Sequence, residues 1–173
     1  MCSIRRRAVT SLYAGLLFTV LGVIAWVSGQ PFIFPSLGPT AFVLAFEHPG
    51  DRIGSARIVA SHLVGGLAGL LAWSLLGGQV AITTTPPPLS TAGLGLAASA
   101  TLSIILTSWA MIATDAVHPP ACATTLIVSL GLLSTPRQVG IITVAVAILV
   151  GVNAAGERIV ERVGSDVATT QSA

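Results

Sequence analysis

The chain has 173 residues, 53% of them apolar and 8% charged, with a formal net charge of +2. A soluble domain carries about a quarter charged residues, so this composition excludes a water-soluble globule and points to the bilayer. All eight basic residues are arginine, and apart from Arg5-Arg6-Arg7 they are scattered, which leaves no basic face for nucleic acid.

The arginine triplet abuts an apolar run at 8–28, the usual cytoplasmic flank of a first membrane helix. That run is longer than the roughly 7–15 residues of a signal-peptide core, so it is expected to stay in the protein as a membrane helix. Three more stretches approach the roughly 20 residues that cross a bilayer: 58–76, 92–114 and 139–155, the last short enough to extend either way. Gly77-Gly78 stops the second, and Thr83-Thr84-Thr85-Pro86-Pro87-Pro88 makes an uncharged, helix-breaking linker. The tail from Glu157 is polar and is expected to fray after Val163. Cys2 and Cys122 lie in different settings, and no disulfide is expected between them.

Two broken stretches sit between the long ones. Phe34-Pro35-Ser36-Leu37-Gly38-Pro39-Thr40-Ala41 opens one, and Asp115-Ala116-Val117-His118-Pro119-Pro120-Ala121-Cys122 opens the other. Each starts with residues that cannot continue a helix and then runs into about ten helix-compatible ones. Proline fits a first helical turn, where its missing N–H would be unpaired anyway. Pro39, and Pro119 with Pro120, are therefore read as the first residues of two short helices. A helix start leaves N–H groups free and carries a partial positive charge. Two such starts within a membrane would form an anion site built from backbone.

The layout is duplicated: long helix, broken stretch, long helix, then the linker at 78–91, then the same order again. The expected fold is a single all-α membrane domain over 1–173, with repeat 1 at 8–77, repeat 2 at 92–156 and a polar tail at 157–173. Each broken stretch is read as a strand-like segment running into a half-helix. If both stretches re-enter, the arginines divide five against three; if both cross, seven lie on the N-terminal side and Arg137 alone lies opposite. The positive-inside rule favours crossing. Three crossings per half then make the repeats inverted, with both termini cytoplasmic. Gly65-Gly66-Leu67-Ala68-Gly69 offers a small-residue face for close helix packing, as do Ala98, Ser99, Ser103, Thr107 and Ser108 on the third long helix. So few helices enclose a pathway thinly, so a homodimer or higher homo-oligomer is expected.

His118-Pro119-Pro120 followed by small residues and Thr124 resembles the signature of the HPP family of integral membrane proteins. The stretch Phe34 to Ala41 resembles that family's first motif, and the likeness covers nearly the whole chain. The family often shows Pro-Arg-Asn followed by Gly-His at the next helix start. Here the matching positions read Ala56-Arg57-Ile58 and Ser61-His62, a departure that keeps only arginine and histidine. The resemblance implies a transporter, and because plastid and cyanobacterial members are associated with nitrite, a small monovalent anion as substrate. The expected location is a prokaryotic inner membrane.

The candidate substrate-binding residues are Ser36, Leu37, Gly38, Thr40 and Ala41 on the first half-helix and His118, Ala121, Cys122 and Thr124 on the second. Ser36 is at the same time the expected N-cap, and Cys122 reads equally as a small packing residue. His118 and Asp115 are candidates for proton coupling, since an ionisable group at a helix break within a membrane is a functional candidate. The bland alternatives are a structural histidine and an interfacial charge. Arg57 and His62 are possible pathway residues, although Arg57 also serves as a plain topology marker and His62 as a structural side chain. Glu47, His48, Asp51 and Arg52 read as a solvated loop, and Asn153 as a helix–helix hydrogen bond. No metal-ligand spacing, phosphate loop, nucleophile elbow or haem attachment motif is present, so neither an enzyme nor a cofactor or metal is expected. A passive anion channel and a non-transporting assembly subunit remain the competing readings.

Overall fold

The structure is a computed structural model that describes residues 2–47, 53–78 and 80–171, with side chains described from 4 to 162 of these. His48, Asp51 and Arg52 lie outside the described residues. Six helices follow in chain order: α1 (Cys2–Ser28), α2 (Leu37–Phe46), α3 (Ser55–Leu76), α4 (Thr91–Ala113), α5 (Pro120–Ser129) and α6 (Pro136–Gln171). α1, α3, α4 and α6 carry apolar spans of 25, 22, 23 and 27 residues. At about 1.5 Å per residue each is long enough to cross a hydrocarbon core of about 30 Å. α2 and α5 have ten residues each, about half that thickness.

The element boundaries correct three expectations. α2 begins at Leu37, so Pro39 is its third residue and not its first. Pro120 does occupy the first position of α5. Among the described residues there is no strand, and the segment at 31–34 is irregular. The last helix starts at Pro136, where Thr135 and Gln138 hydrogen-bond each other reciprocally, and it continues to Gln171 without fraying at Val163.

After α1 the chain turns at Gly29, whose φ of +61° favours glycine. It then travels back. Phe46, at the end of α2, lies beneath the Arg6 guanidinium near the start of α1, 5.9 Å from ring centroid to charge. In the second half, Leu130 just past α5 accepts a hydrogen bond from the Ile82 N–H at 2.9 Å, shortly before α4 begins. Gly131 there has φ +77°, and the Val80 carbonyl would lie 2.5 Å from a Cβ, so only glycine closes this junction. A stretch that dipped in and returned would leave Phe46 beside Gln30 and Leu130 beside Thr114. Each broken stretch instead runs back along the preceding long helix.

Packing follows the small residues. A Cβ on Gly65 would meet Thr125 Oγ1 at 2.6 Å and the Ala121 carbonyl at 2.9 Å, and one on Gly69 would meet the Thr125 carbonyl at 2.7 Å. Gly66 faces α6 in the same way, against Val139. The expected small-residue face of α3 is therefore where α5 and α6 dock. α4 contributes polar rungs: Ser99 donates to the Ser129 carbonyl at 2.8 Å, and the Thr107 and Thr125 hydroxyls are 2.9 Å apart. α1, α2 and α6 meet in an apolar core around Leu17, Leu21, Leu37, Val146 and Leu149, and Tyr13 donates to Asn153 Oδ1 at 3.0 Å, the expected interhelical bond. Exchanging α1–α2–α3 with α4–α5–α6 maps the set of helix neighbours onto itself, yet α3 packs far more extensively on α4 and α5 than α6 does on α1 and α2.

Candidate functional site

The starts of α2 and α5 meet, and the two are built differently. At α2, Pro35 and Ser36 form a turn in which the Leu37 N–H bonds to the Phe34 carbonyl at 3.0 Å. Ser36 occupies the N-cap position, but its backbone is helical (φ −70°, ψ −20°) and its side chain makes no capping bond. A capping hydroxyl needs an extended backbone and an N–H at the second or third position; here the third residue is Pro39, which has none. The Ser36 hydroxyl is consequently fully buried with no hydrogen-bond partner. Native structures rarely leave such a group unpaired, because it costs about 1–3 kcal/mol.

At α5 the donors are already engaged. The Ala121 N–H bonds to the His118 carbonyl at 2.9 Å and the Cys122 N–H to the Pro119 carbonyl at 3.0 Å, while Pro119 and Pro120 have no N–H. The tight turn that the double proline imposes therefore consumes the backbone groups that the sequence put forward for an anion. The side chains of Leu37 and Ala41 face the apolar core, Gly38 is exposed with open space where a Cβ would sit, and the Cys122 thiol is free and half-buried.

Two other candidates, His62 and His118, meet at the hydroxyl of a third, Thr40, and Thr124 joins through His62. Thr40 Oγ1 lies 3.1 Å from the Ser36 carbonyl, 3.0 Å from His62 Nε2 and 3.3 Å from His118 Nε2. His62 Nδ1 lies 2.7 Å from Thr124 Oγ1, and the two imidazole rings are 5.4 Å apart between centroids. Thr40, His62 and Thr124 are fully buried, and His118 is 2% exposed. Helical spacing explains the convergence: Ser36 and Thr40 are one turn apart on the inner face of α2, and Thr124 sits one turn into α5.

His118 also lines a cleft of about 530 Å³ with Pro39, Phe42 and Glu47 from the α2 side, Ile53 and Ile58 beside α3, and Val117, Pro120 and Ala123. The cleft leads from the Glu47 end of α2 to the point where the half-helices begin. Its wall is mostly apolar, with one imidazole at its inner end and one carboxylate at its rim.

Asp115 does not reach His118 as an orienting partner. Its carboxylate pairs with Arg57 at 2.9 Å, and Arg57 Nη1 also donates to the Asp115 carbonyl at 3.0 Å. Asp115 takes φ +50°, which turns the chain out of α4. The neighbouring Ser61 hydroxyl is 2.6 Å from the Ala116 carbonyl and 2.7 Å from the Arg57 carbonyl. Arg57 and Ser61 thus fasten the segment before His118 to α3. Ser61, Glu47 and the Thr107–Thr125 pair were not identified as site residues from the sequence. Ser61 had a usable signal, its place beside His62 on one helix turn, whereas Glu47 had none beyond its charge.

A family model described as HPP, transmembrane region, matches residues 1–163 of the chain. No curated protein and no solved structure matches it. The chain belongs to the HPP transmembrane family and is a multi-pass integral membrane protein.

Proposed function

We propose that this HPP family protein transports a small monovalent anion of the nitrite type, bound where α2 and α5 begin. The observation that carries the reading is the Ser36 hydroxyl, buried and unpartnered at an uncapped helix start; the Ser36 carbonyl shares the Thr40 hydroxyl with His118, which lines an open cleft. The anion takes a hydrogen bond from Ser36, the partial positive charge of the α2 start and a donor from His118. Thr40 holds His118 in place, and a proton accompanies the anion on the imidazole. Asp115 is engaged by Arg57 and has no part in the proton step.

The same reading takes the two halves as inverted repeats. The helix neighbours exchange under repeat swapping, and each half makes three passes, so the half-helices enter from opposite faces and meet near the midplane. The arginine distribution puts both termini on the cytoplasmic side, which makes the cleft inward-open in a prokaryotic inner membrane. α1 leaves Leu12, Leu16, Trp26 and Val27 exposed, a face for lipid and for a second copy of this chain.

The test is uptake of nitrite, nitrate, formate and chloride by purified protein in liposomes at two pH values. Uptake of one anion, faster with acid outside and abolished by His118→Ala, supports a proton-coupled carrier. Uptake with no dependence on the proton gradient identifies a passive channel. Absence of uptake by folded protein overturns the transport reading.

A further inference from the structure

Thr40 Oγ1 has one hydrogen and two lone pairs, and it has three neighbours: the Ser36 carbonyl at 3.1 Å, His62 Nε2 at 3.0 Å and His118 Nε2 at 3.3 Å. A carbonyl only accepts, so the hydroxyl donates to Ser36 and both imidazoles donate to Thr40 through Nε2. No other assignment puts a hydrogen into all three contacts. His62 is then left with a bare Nδ1, which accepts from the Thr124 hydroxyl at 2.7 Å, so both its nitrogens are engaged. His118 is also left with a bare Nδ1, and no described residue bonds to it. Among the described residues Ser36 Oγ is the one sealed side-chain nitrogen or oxygen without a partner. The partnerless His118 Nδ1 is therefore not sealed, and it is reached from the cleft that His118 lines.

A bare imidazole nitrogen is an acceptor. It repels an anion and attracts an O–H. We infer that the cleft takes its substrate as a neutral weak acid, whose O–H meets His118 Nδ1, and turns away anions that arrive without a proton; this rests on the transport reading above. The acid O–H bond breaks, an Nδ1–H bond forms, and the imidazolium faces the anion it has just made, with its Nε2–H still on Thr40. The pair carries no net charge, so one proton and one anion enter and leave together. His118 is a donor to the anion only in this protonated form. The substrate class is the small monobasic acids weak enough to hold a proton, as nitrous and formic acids are. Nitrate and chloride, the anions of strong acids, bring none.

The cleft wall makes the same selection. Phe42, Val43, Ile53, Ile58 and Val117 give it apolar sides, and Glu47 sets a carboxylate at its rim. A bare anion loses hydration on this path and meets a like charge at the mouth, whereas a neutral acid meets neither obstacle. No arginine lines the cleft, and Arg57 is paired with Asp115 at 2.9 Å. α2 and α4 contain no titratable side chain, α5 contains only the Cys122 thiol, and α1 and α6 add nothing to the lining. His62 on α3 has both ring nitrogens engaged. Among the described residues this leaves His118 to receive the proton where the half-helices begin. Thr40 acts through His118, as the positioning residue that decides which nitrogen faces the cleft.

The chain has three histidines, so ¹⁵N-histidine NMR of the purified protein in detergent resolves each imidazole. Without ligand, His118 is expected to carry its hydrogen on Nε2 and none on Nδ1. Sodium formate added across pH 5–8 should place a hydrogen on His118 Nδ1 and leave His62 unchanged, with the apparent affinity for total formate falling about tenfold per pH unit. Sodium nitrate and sodium chloride should leave Nδ1 bare. In Thr40→Val, Nε2 loses its acceptor and the hydrogen moves to Nδ1, so the preference for formate over nitrate and the pH dependence should both collapse, and Thr40→Ser should restore them. In liposomes, formate uptake above that of protein-free vesicles should not respond to a potassium diffusion potential set with valinomycin. A hydrogen on Nδ1 in the ligand-free native protein overturns the inference. So does nitrate or chloride binding as tightly as formate, or uptake driven by the potential, and each of these leaves the anion site of the reading above intact. Absence of both binding and protein-dependent uptake for every anion overturns the transport reading itself.

Discussion

The starts of α2 and α5 are the same device made in two ways, and the contrast locates the donors. α5 begins with two prolines, closes its first turn on itself and is clamped between α3 and α4, with Gly65 and Gly69 admitting its backbone. α2 begins one residue after a serine whose hydroxyl has no partner, and it packs lightly on α6. A helix start whose groups are satisfied internally is a platform; one with an unsatisfied buried donor is a receptor. On the proposed reading, the α5 side fixes His118 and Thr124 in place and offers the His118 donor, and the α2 side offers the unpartnered Ser36 hydroxyl. The unequal packing fits this division, since the element that must respond to a ligand is drawn from the less stable end of a fold.

The strongest way to break the platform is Gly65→Leu. Its side chain enters space occupied by Thr125 and the Ala121 carbonyl, and overpacking of this kind costs about 1–3 kcal/mol or more. Detergent-solubilised protein should show a clearly lower Tm and no anion binding, because α5 and His118 shift together. Gly38→Ala is the matched change on the receptor side. Open space surrounds that position and alanine favours a helix by about 0.5–1 kcal/mol, so Tm should hold or rise while anion affinity falls. A Tm loss in Gly38→Ala as large as in Gly65→Leu would erase the distinction.

His118→Ala removes the donor at the inner end of the cleft and should abolish anion uptake in liposomes with a smaller effect on Tm than Gly65→Leu. The smallest effect is expected at the rim. Arg57 and Asp115 are 54% and 87% exposed, and an exposed ion pair contributes about 0–1 kcal/mol. Asp115→Asn should shift Tm by a degree or two and leave the pH dependence of uptake as in the native protein. A pH profile altered by Asp115→Asn would return that carboxylate to the proton step.

Much of the architecture was legible because membrane helices announce themselves by length and apolarity, and prolines and glycines mark where they stop. The four long helices, the two short ones and the small-residue face of α3 were all readable in this way. His118, Thr40 and Thr124 stood out because they sit at the breaks. Three things were not readable. That the double proline would close the α5 turn on Ala121 and Cys122 depends on the helical ψ adopted at Pro119, which no residue count gives. That Asp115 would turn to Arg57 and not to His118 depends on its positive φ. That His62, seven residues into α3, would share one hydroxyl with His118 depends on the rotation of α3 against α2, and rotation follows from packing rather than from local pattern.

The measurement that tests the central claim most directly is a thermal-shift titration of the native protein and Ser36→Ala with sodium nitrite and sodium formate. The Ser36 hydroxyl has no partner, so without anion its removal should leave Tm unchanged or raise it, in contrast to the loss of about 1 kcal/mol that follows removal of a working N-cap. With anion, the native protein should gain stability in proportion to occupancy, and Ser36→Ala should need about 5- to 10-fold more anion for the same gain, the effect of one hydrogen bond of about 1 kcal/mol. A Ser36→Ala protein that is destabilised without anion, and that responds to anion as the native protein does, would show that this hydroxyl supports the fold and not a ligand.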